Sequence, residues 1–158
     1  MNSENLEIRV GDLDSREVVE LLTDHLRALA EITPSESMHA LDLDELRKPD
    51  LMFWSVWADG ELLGCGALKE LDHRHGEIKS MRTAKAHLRK GIGSVLMQQI
   101  IAEAKRRGYT RLSLETGPIE YFHPAHRLYH KHGFEKCPPF GEYHEDPNSV
   151  FMTRELPS

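Results

Sequence analysis

Apolar and polar positions alternate along Leu6-Glu7-Ile8-Arg9-Val10, the pattern of a half-buried strand. Asp12, Asp14 and Ser15 then offer helix caps, and Val18, Leu21, Leu22, His25, Leu26 and Leu29 recur at helical spacing. A second, shorter helical stretch is predicted from Pro34 through Met38, Leu41 and Leu46, stopping before Pro49. Apolar runs over residues 51–57 and 62–68 read as strands joined by Asp59-Gly60, a hairpin signal. A turn over residues 72–76 leads to a third strand at 77–83. Residues 95–105 read as a long helix ending near Gly108, and 111–115 as a strand. A helix over 124–132, closed by Gly133, and strands at 134–137 and 149–156 complete the chain. This order predicts one α+β domain over residues 1–158 with a mostly antiparallel sheet.

The junction before the long helix carries the chemical signal. His87-Leu88-Arg89-Lys90-Gly91-Ile92-Gly93-Ser94 places two glycines and two cations where a helix begins. Glycine lets the main chain approach a ligand closely, and a helix N-terminus offers unpaired N–H groups and the positive end of a dipole. That combination is a phosphate cradle. A dinucleotide fingerprint would want a small residue where Leu96 stands, and no Gly-x-x-x-x-Gly-Lys-Ser/Thr string exists for a P-loop. Charge sharpens the picture. The chain of 158 residues has a net charge of −6, but residues 1–76 carry −10 and residues 77–158 carry +4. Residues 78–102 hold Lys79, Arg82, Lys85, Arg89 and Lys90 and no carboxylate, a basic island suited to a small polyanion rather than a long nucleic acid.

Together with Leu128-Tyr129-His130-Lys131-His132-Gly133-Phe134, this turn resembles the Gcn5-related N-acetyltransferase (GNAT) superfamily, most specifically between residues 77 and 134. The family pattern is Arg/Gln-x-x-Gly-x-Gly/Ala; Gly91 and Gly93 fill the glycine positions, while Leu88 replaces Arg or Gln. The resemblance implies a single GNAT domain, with a mixed, mostly antiparallel sheet flanked by about four helices. It implies that Arg89, Lys90, Gly91, Ile92, Gly93 and Ser94 hold the pyrophosphate of acetyl-coenzyme A, and that Met81, Arg82 and Thr83 run beside its pantetheine arm. Pairing main chain to an amide-bearing arm works like adding a strand to a sheet edge. Phe122 stands where the family often has an Asn seven residues before the tyrosine, so that amide contact to the cofactor arm is lost or supplied elsewhere.

Acetyl transfer to an amine needs a neutral nitrogen, and an alkylamine with a pKa near ~10.4 costs about 4–5 kcal/mol to deprotonate at neutral pH. By resemblance Tyr129 is the candidate acid for the leaving thiolate, Glu77 the candidate base acting through water, and the Met81 N–H the oxyanion donor. Glu115 is the alternative base, Ser113 and Thr116 are structural, and His39 is read as a surface residue with the acceptor pocket as its alternative. The expected activity is transfer from acetyl-coenzyme A to a primary amine on a small molecule, an amino acid or a polyamine-like cation, with the acidic first half favouring a cationic acceptor. Alternatives are a protein lysine or N-terminal acceptor, or a non-catalytic acyl-coenzyme A sensor. No metal is expected: His73/His75 and His126/His130 lack a clear third ligand. Cys65 and Cys137 make no disulfide framework and neither is expected to be a catalytic thiol. No nucleic-acid or membrane partner is expected, a homodimer is compatible with the family, and the absence of a secretory signal or apolar span predicts a cytoplasmic protein.

Overall fold

A computed structural model of the protein describes residues 5–157. The chain reverses at Asp59-Gly60, whose φ angles of 51° and 78° are the left-handed pair a two-residue hairpin requires. The elements in order are β1 (Leu6–Val10), α1 (Arg16–Ile32), α2 (Leu43–Leu46), β2 (Leu51–Ala58), β3 (Glu61–Asp72), β4 (His75–Thr83), α3 (Ile92–Arg106), β5 (Arg111–Thr116), α4 (His123–Lys131), β6 (Glu135–Cys137) and β7 (Val150–Glu155). All seven strands form one sheet in the order β1-β2-β3-β4-β5-β7-β6. Every pairing is antiparallel except β4 with β5, which α3 connects by a crossover.

Both faces of the sheet are covered, which explains why β2 reads as a continuous apolar run rather than an alternation. One face packs Trp54, Val56, Leu63 and Leu68 against Leu96, Met97, Ile100 and Ala104 of α3, with Tyr129 and Phe134 beyond them. The other face packs Phe53, Trp57, Cys65 and Ala67 against Val18 and Leu22 of α1 and Leu46 of α2. The two faces define two sides of the functional cleft described below.

The second helical stretch differs from the expectation. Only a 3-10 turn at Ser35–Ser37 and the single-turn α2 are helical, with an extended piece between them. Two forces break it. Asp42 starts α2 with a reciprocal capping box: its side chain accepts from the Glu45 N–H at 2.9 Å and Glu45 reaches back to the Asp42 N–H. The His39 carbonyl, meanwhile, accepts from Lys79 Nζ at 2.9 Å, a partner on β4 that replaces an intrahelical one. The third strand also starts earlier than expected, at His75, and α3 begins at Ile92.

Candidate active site

The parallel ladder between β4 and β5 covers only His75, Gly76 and Glu77 against Arg111, Leu112 and Ser113. Beyond Glu77 the two strands separate, and a cleft of about 620 Å³ opens between them. A bulge helps to open it. Cys65 pairs with Arg82 and Ala67 with Lys79, so Ser80 and Met81 share one opposing residue, and Ser80 takes a φ of 56°. The bulge leaves Met81 without a register partner on β3, directly at the cleft wall.

One end of the cleft is the glycine junction. Gly91 is the N-cap of α3 with a φ of 81°, and Arg89 takes 65°. No side chain caps this helix end, and its first turn carries no carboxylate. Cations crowd it instead: besides Arg89 and Lys90, Lys131 Nζ lies 3.3 Å from the Ser94 hydroxyl, which the His132 ring, held below the ordinary imidazole range chiefly by burial, also meets at 3.1 Å. Positive side chains at the positive end of a helix dipole are unfavourable unless an anion sits among them. The open main chain, uncapped N–H groups and surplus positive charge together fit a diphosphate. Lys131 and His132 were not singled out from sequence, although their place in the Tyr129–Phe134 motif is a usable signal. Leu88 is 55% exposed and lines the cleft, so the family's arginine position is open to solvent here. Of the expected set, Met81, Arg82, Thr83, Arg89, Gly91, Ile92, Gly93 and Ser94 line this one cleft; Lys90 does not, and its Nζ lies 3.2 Å from His87 Nδ1.

The expected acid and base are separated by the structure. Tyr129 is buried and lines the cleft; burial, and then the charge of Glu115, push its phenol up to about 12. Glu115 also lines the cleft, and burial first of all raises its carboxyl to about 7, with the Lys79 ammonium opposing and Glu77 reinforcing. Glu77 does not line the cleft. It is 2% exposed, and its Oε2 accepts from the Tyr143 hydroxyl at 2.5 Å and from Lys79 Nζ at 3.4 Å.

Lys79 is the hub of this buried network. Its three N–H donors meet the His39 carbonyl at 2.9 Å, the Tyr143 hydroxyl at 2.9 Å and Glu77. One strand residue thereby fastens both the segment after α1 and the loop before β7. His39 packs edge-on against Tyr143, with ring centroids 4.9 Å apart, and lines the cleft rather than the outer surface. Tyr143 sits in a loop without periodicity and gave no sequence signal. Lys79→Met is expected to cost about 3–5 kcal/mol in urea denaturation, because it strands the buried Glu77 carboxylate, and adding Glu77→Gln is expected to recover most of the loss.

Other candidates fall into structural roles. Ser113 Oγ lies 2.7 Å from His75 Nε2 and 2.9 Å from Thr153 Oγ1, tying β5 to its two neighbours where β4 is still paired. His126 bonds to the Gly117 carbonyl at 2.8 Å. Cys65 is fully buried and its thiol is pushed up to about 12, which makes it inert. Among the described residues no helix is long and apolar enough to cross a membrane.

A splayed parallel strand pair, a bulge at its lip and a glycine-led helix at its end define an acyltransferase of the GNAT type. Comparison with known proteins agrees. Residues 17–134 match the acetyltransferase (GNAT) family. The chain is 56% identical over 151 residues to the uncharacterized N-acetyltransferase YsnE of Bacillus subtilis, covering 96% of this chain and all of that one. It is 39% identical to the IAA acetyltransferase of Azospirillum brasilense, covering 88% and 90% of the two chains. A GNAT acetyltransferase of Elizabethkingia anophelis, solved with acetyl-CoA bound, superposes with a TM-score of 0.70 at 22% identity over 98% of this chain and 100% of that chain. The chain belongs to the GNAT family and is an acetyl-CoA-dependent acyltransferase.

Proposed function

We propose that the protein acetylates a primary amine on a small molecule, with Glu115 as general base and Tyr129 as general acid. The observation that carries this reading is the way the acceptor side is roofed. Ser37 Oγ donates to Asp146 at 2.6 Å, fastening the 3-10 turn after α1 to the loop before β7, while Arg82 reaches the Tyr121 hydroxyl at 2.7 Å. Ser37, Arg82 and Tyr121 of these two straps line the cleft together with Asn148, an arrangement that suits a compact acceptor better than a protein surface.

Acetyl-coenzyme A supplies an activated thioester; the chain supplies position and proton handling. Residues 89–94 would hold the diphosphate through main-chain N–H groups. The main chain at Met81, Arg82 and Thr83 would pair with the amides of the arm, since β5 no longer occupies that edge. The Met81 N–H would face the carbonyl oxygen as charge develops there. Glu115, poised near 7, takes the amine proton. This step also prepares the acid. The charge on Glu115 holds the Tyr129 phenol up, so protonating Glu115 makes Tyr129 more acidic as the thiolate departs. In this reading Glu77, proposed from resemblance as the base, instead orients Lys79 and Tyr143.

Thermal-shift titration with acetyl-coenzyme A tests the donor half: at 100 times Kd the native state gains about 2.7 kcal/mol. A panel of small primary amines, with IAA added because it names the Azospirillum brasilense relative, tests the acceptor half by free-thiol release. Thiol release only with peptides or proteins would move the acceptor to a macromolecule.

A further inference from the structure

Resting on that reading, we infer that the Arg82 side chain recognises a carboxylate on the acceptor, so that the amine acetylated is amino-acid-like rather than polycationic. The argument begins with which cations in the cleft are already satisfied. Lys79 has three donors and three acceptors, one of them the Glu77 carboxylate, and has nothing left to offer a ligand. Arg82 differs. It has five N–H donors, makes no ion pair among the described residues, and spends one donor on the neutral Tyr121 hydroxyl. Its Nε is buried with no partner at all. An unpaired guanidinium with an orphaned donor in a cleft wants a planar anion.

Position separates this side chain from the diphosphate cradle. Arg82 lies opposite Cys65 in the sheet register, and Cys65 belongs to the core face covered by α1. Residues paired across two strands project from the same face, so Arg82 points to the α1 side while α3 and its cradle lie on the other. His25 of α1 sits within electrostatic reach; burial chiefly, helped by Arg82, lowers it to about 4, so it adds no competing charge at neutral pH. The main chain of Arg82 is free to serve the donor arm while its side chain serves the acceptor.

Of the two acceptors expected from sequence, the charge inventory favours the amino acid over the polyamine-like cation. Among the described residues the acidic first half contributes no carboxylate to the cleft lining, and Glu115 is the one acidic side chain there. With Glu115 receiving the amine proton, no second carboxylate among the described residues lines the cleft to hold another ammonium group, whereas Arg82 remains to hold a carboxylate.

The test pairs free amino acids with the amines that lack their carboxylate, in the wild type and in Arg82→Met and Arg82→Lys. Thiol release is expected to favour the carboxylated member about 10- to 100-fold in kcat/KM, chiefly through KM. Arg82→Met is expected to bring that ratio close to one, Arg82→Lys to restore part of it, and the Kd for acetyl-coenzyme A to stay within about twofold of wild type. A wild type that prefers the decarboxylated amines overturns the inference, as does a ratio that survives Arg82→Met. So does a variant that loses acetyl-coenzyme A binding with its acceptor preference intact. Should no amine be acetylated, the proposed function falls, and the carboxylate site is then read by calorimetry of N-acetyl amino acids with coenzyme A present. Binding that is absent, or unchanged by Arg82→Met, overturns the inference on its own terms.

Discussion

Glu115→Gln is expected to lower kcat by about 10²–10⁴ while leaving the acetyl-coenzyme A Kd unchanged, the range typical of a lost general base. The pH profile identifies the group. Glu115 must be ionised to accept a proton, so wild-type activity rises through about 7, and this limb disappears in the variant. Stability carries the opposite sign. Burial raises the folded-state carboxyl above its unfolded value, so the folded protein binds the extra proton between the ordinary carboxylate range and about 7. Stabilisation from the neutral acid is complete at the low end of that window and is lost as the pH climbs through the folded value. Urea denaturation across this interval is expected to show a downward slope that Glu115→Gln removes, a readout that needs no acceptor. If glutamine at 115 is silent and Glu77→Gln abolishes the limb, the base is Glu77.

Gly93→Val is expected to weaken acetyl-coenzyme A binding about 100-fold or more. A Cβ at residue 93 would stand 2.9 Å from Leu128 Cδ2, so a branched side chain crowds Leu128 and reaches into the start of α3 where the anion would approach. The N–H groups that grip the anion are obstructed there, and each hydrogen bond to a charged group is worth about 1.5–3 kcal/mol. At a concentration 100 times the wild-type Kd, the ligand-induced gain then falls from about 2.7 to about 0.4 kcal/mol. Leu88→Arg is the complementary change. It places a guanidinium at an exposed position on the cleft wall and is expected to tighten binding several-fold.

The glycine junction was legible in the sequence because it is local: a main-chain cradle requires glycine, positive charge and a helix start within eight residues. The hairpin at Asp59-Gly60 and the apolar stripe of α3 were legible for the same reason. The stretch over residues 34–46 was misread because His39 answers to Lys79, forty residues away, which no periodicity records. The choice between Glu77 and Glu115 depends on what covers each carboxylate. Tyr143 closes over Glu77, and the splay exposes Glu115; both are properties of chain segments far apart in sequence. Arg82 was visible as one charge in a basic island, but its orientation follows from the bulge that sets the register at Cys65.

With only three rungs tying β4 to β5, the sheet holds a seam that opens just where the guest molecule would lie. An arm rich in amides would supply the missing rungs and zip the two halves of the sheet together. Amide hydrogens along residues 78–83 should therefore exchange with solvent markedly more slowly once the thioester is bound, and the enzyme at rest is the looser of its two forms.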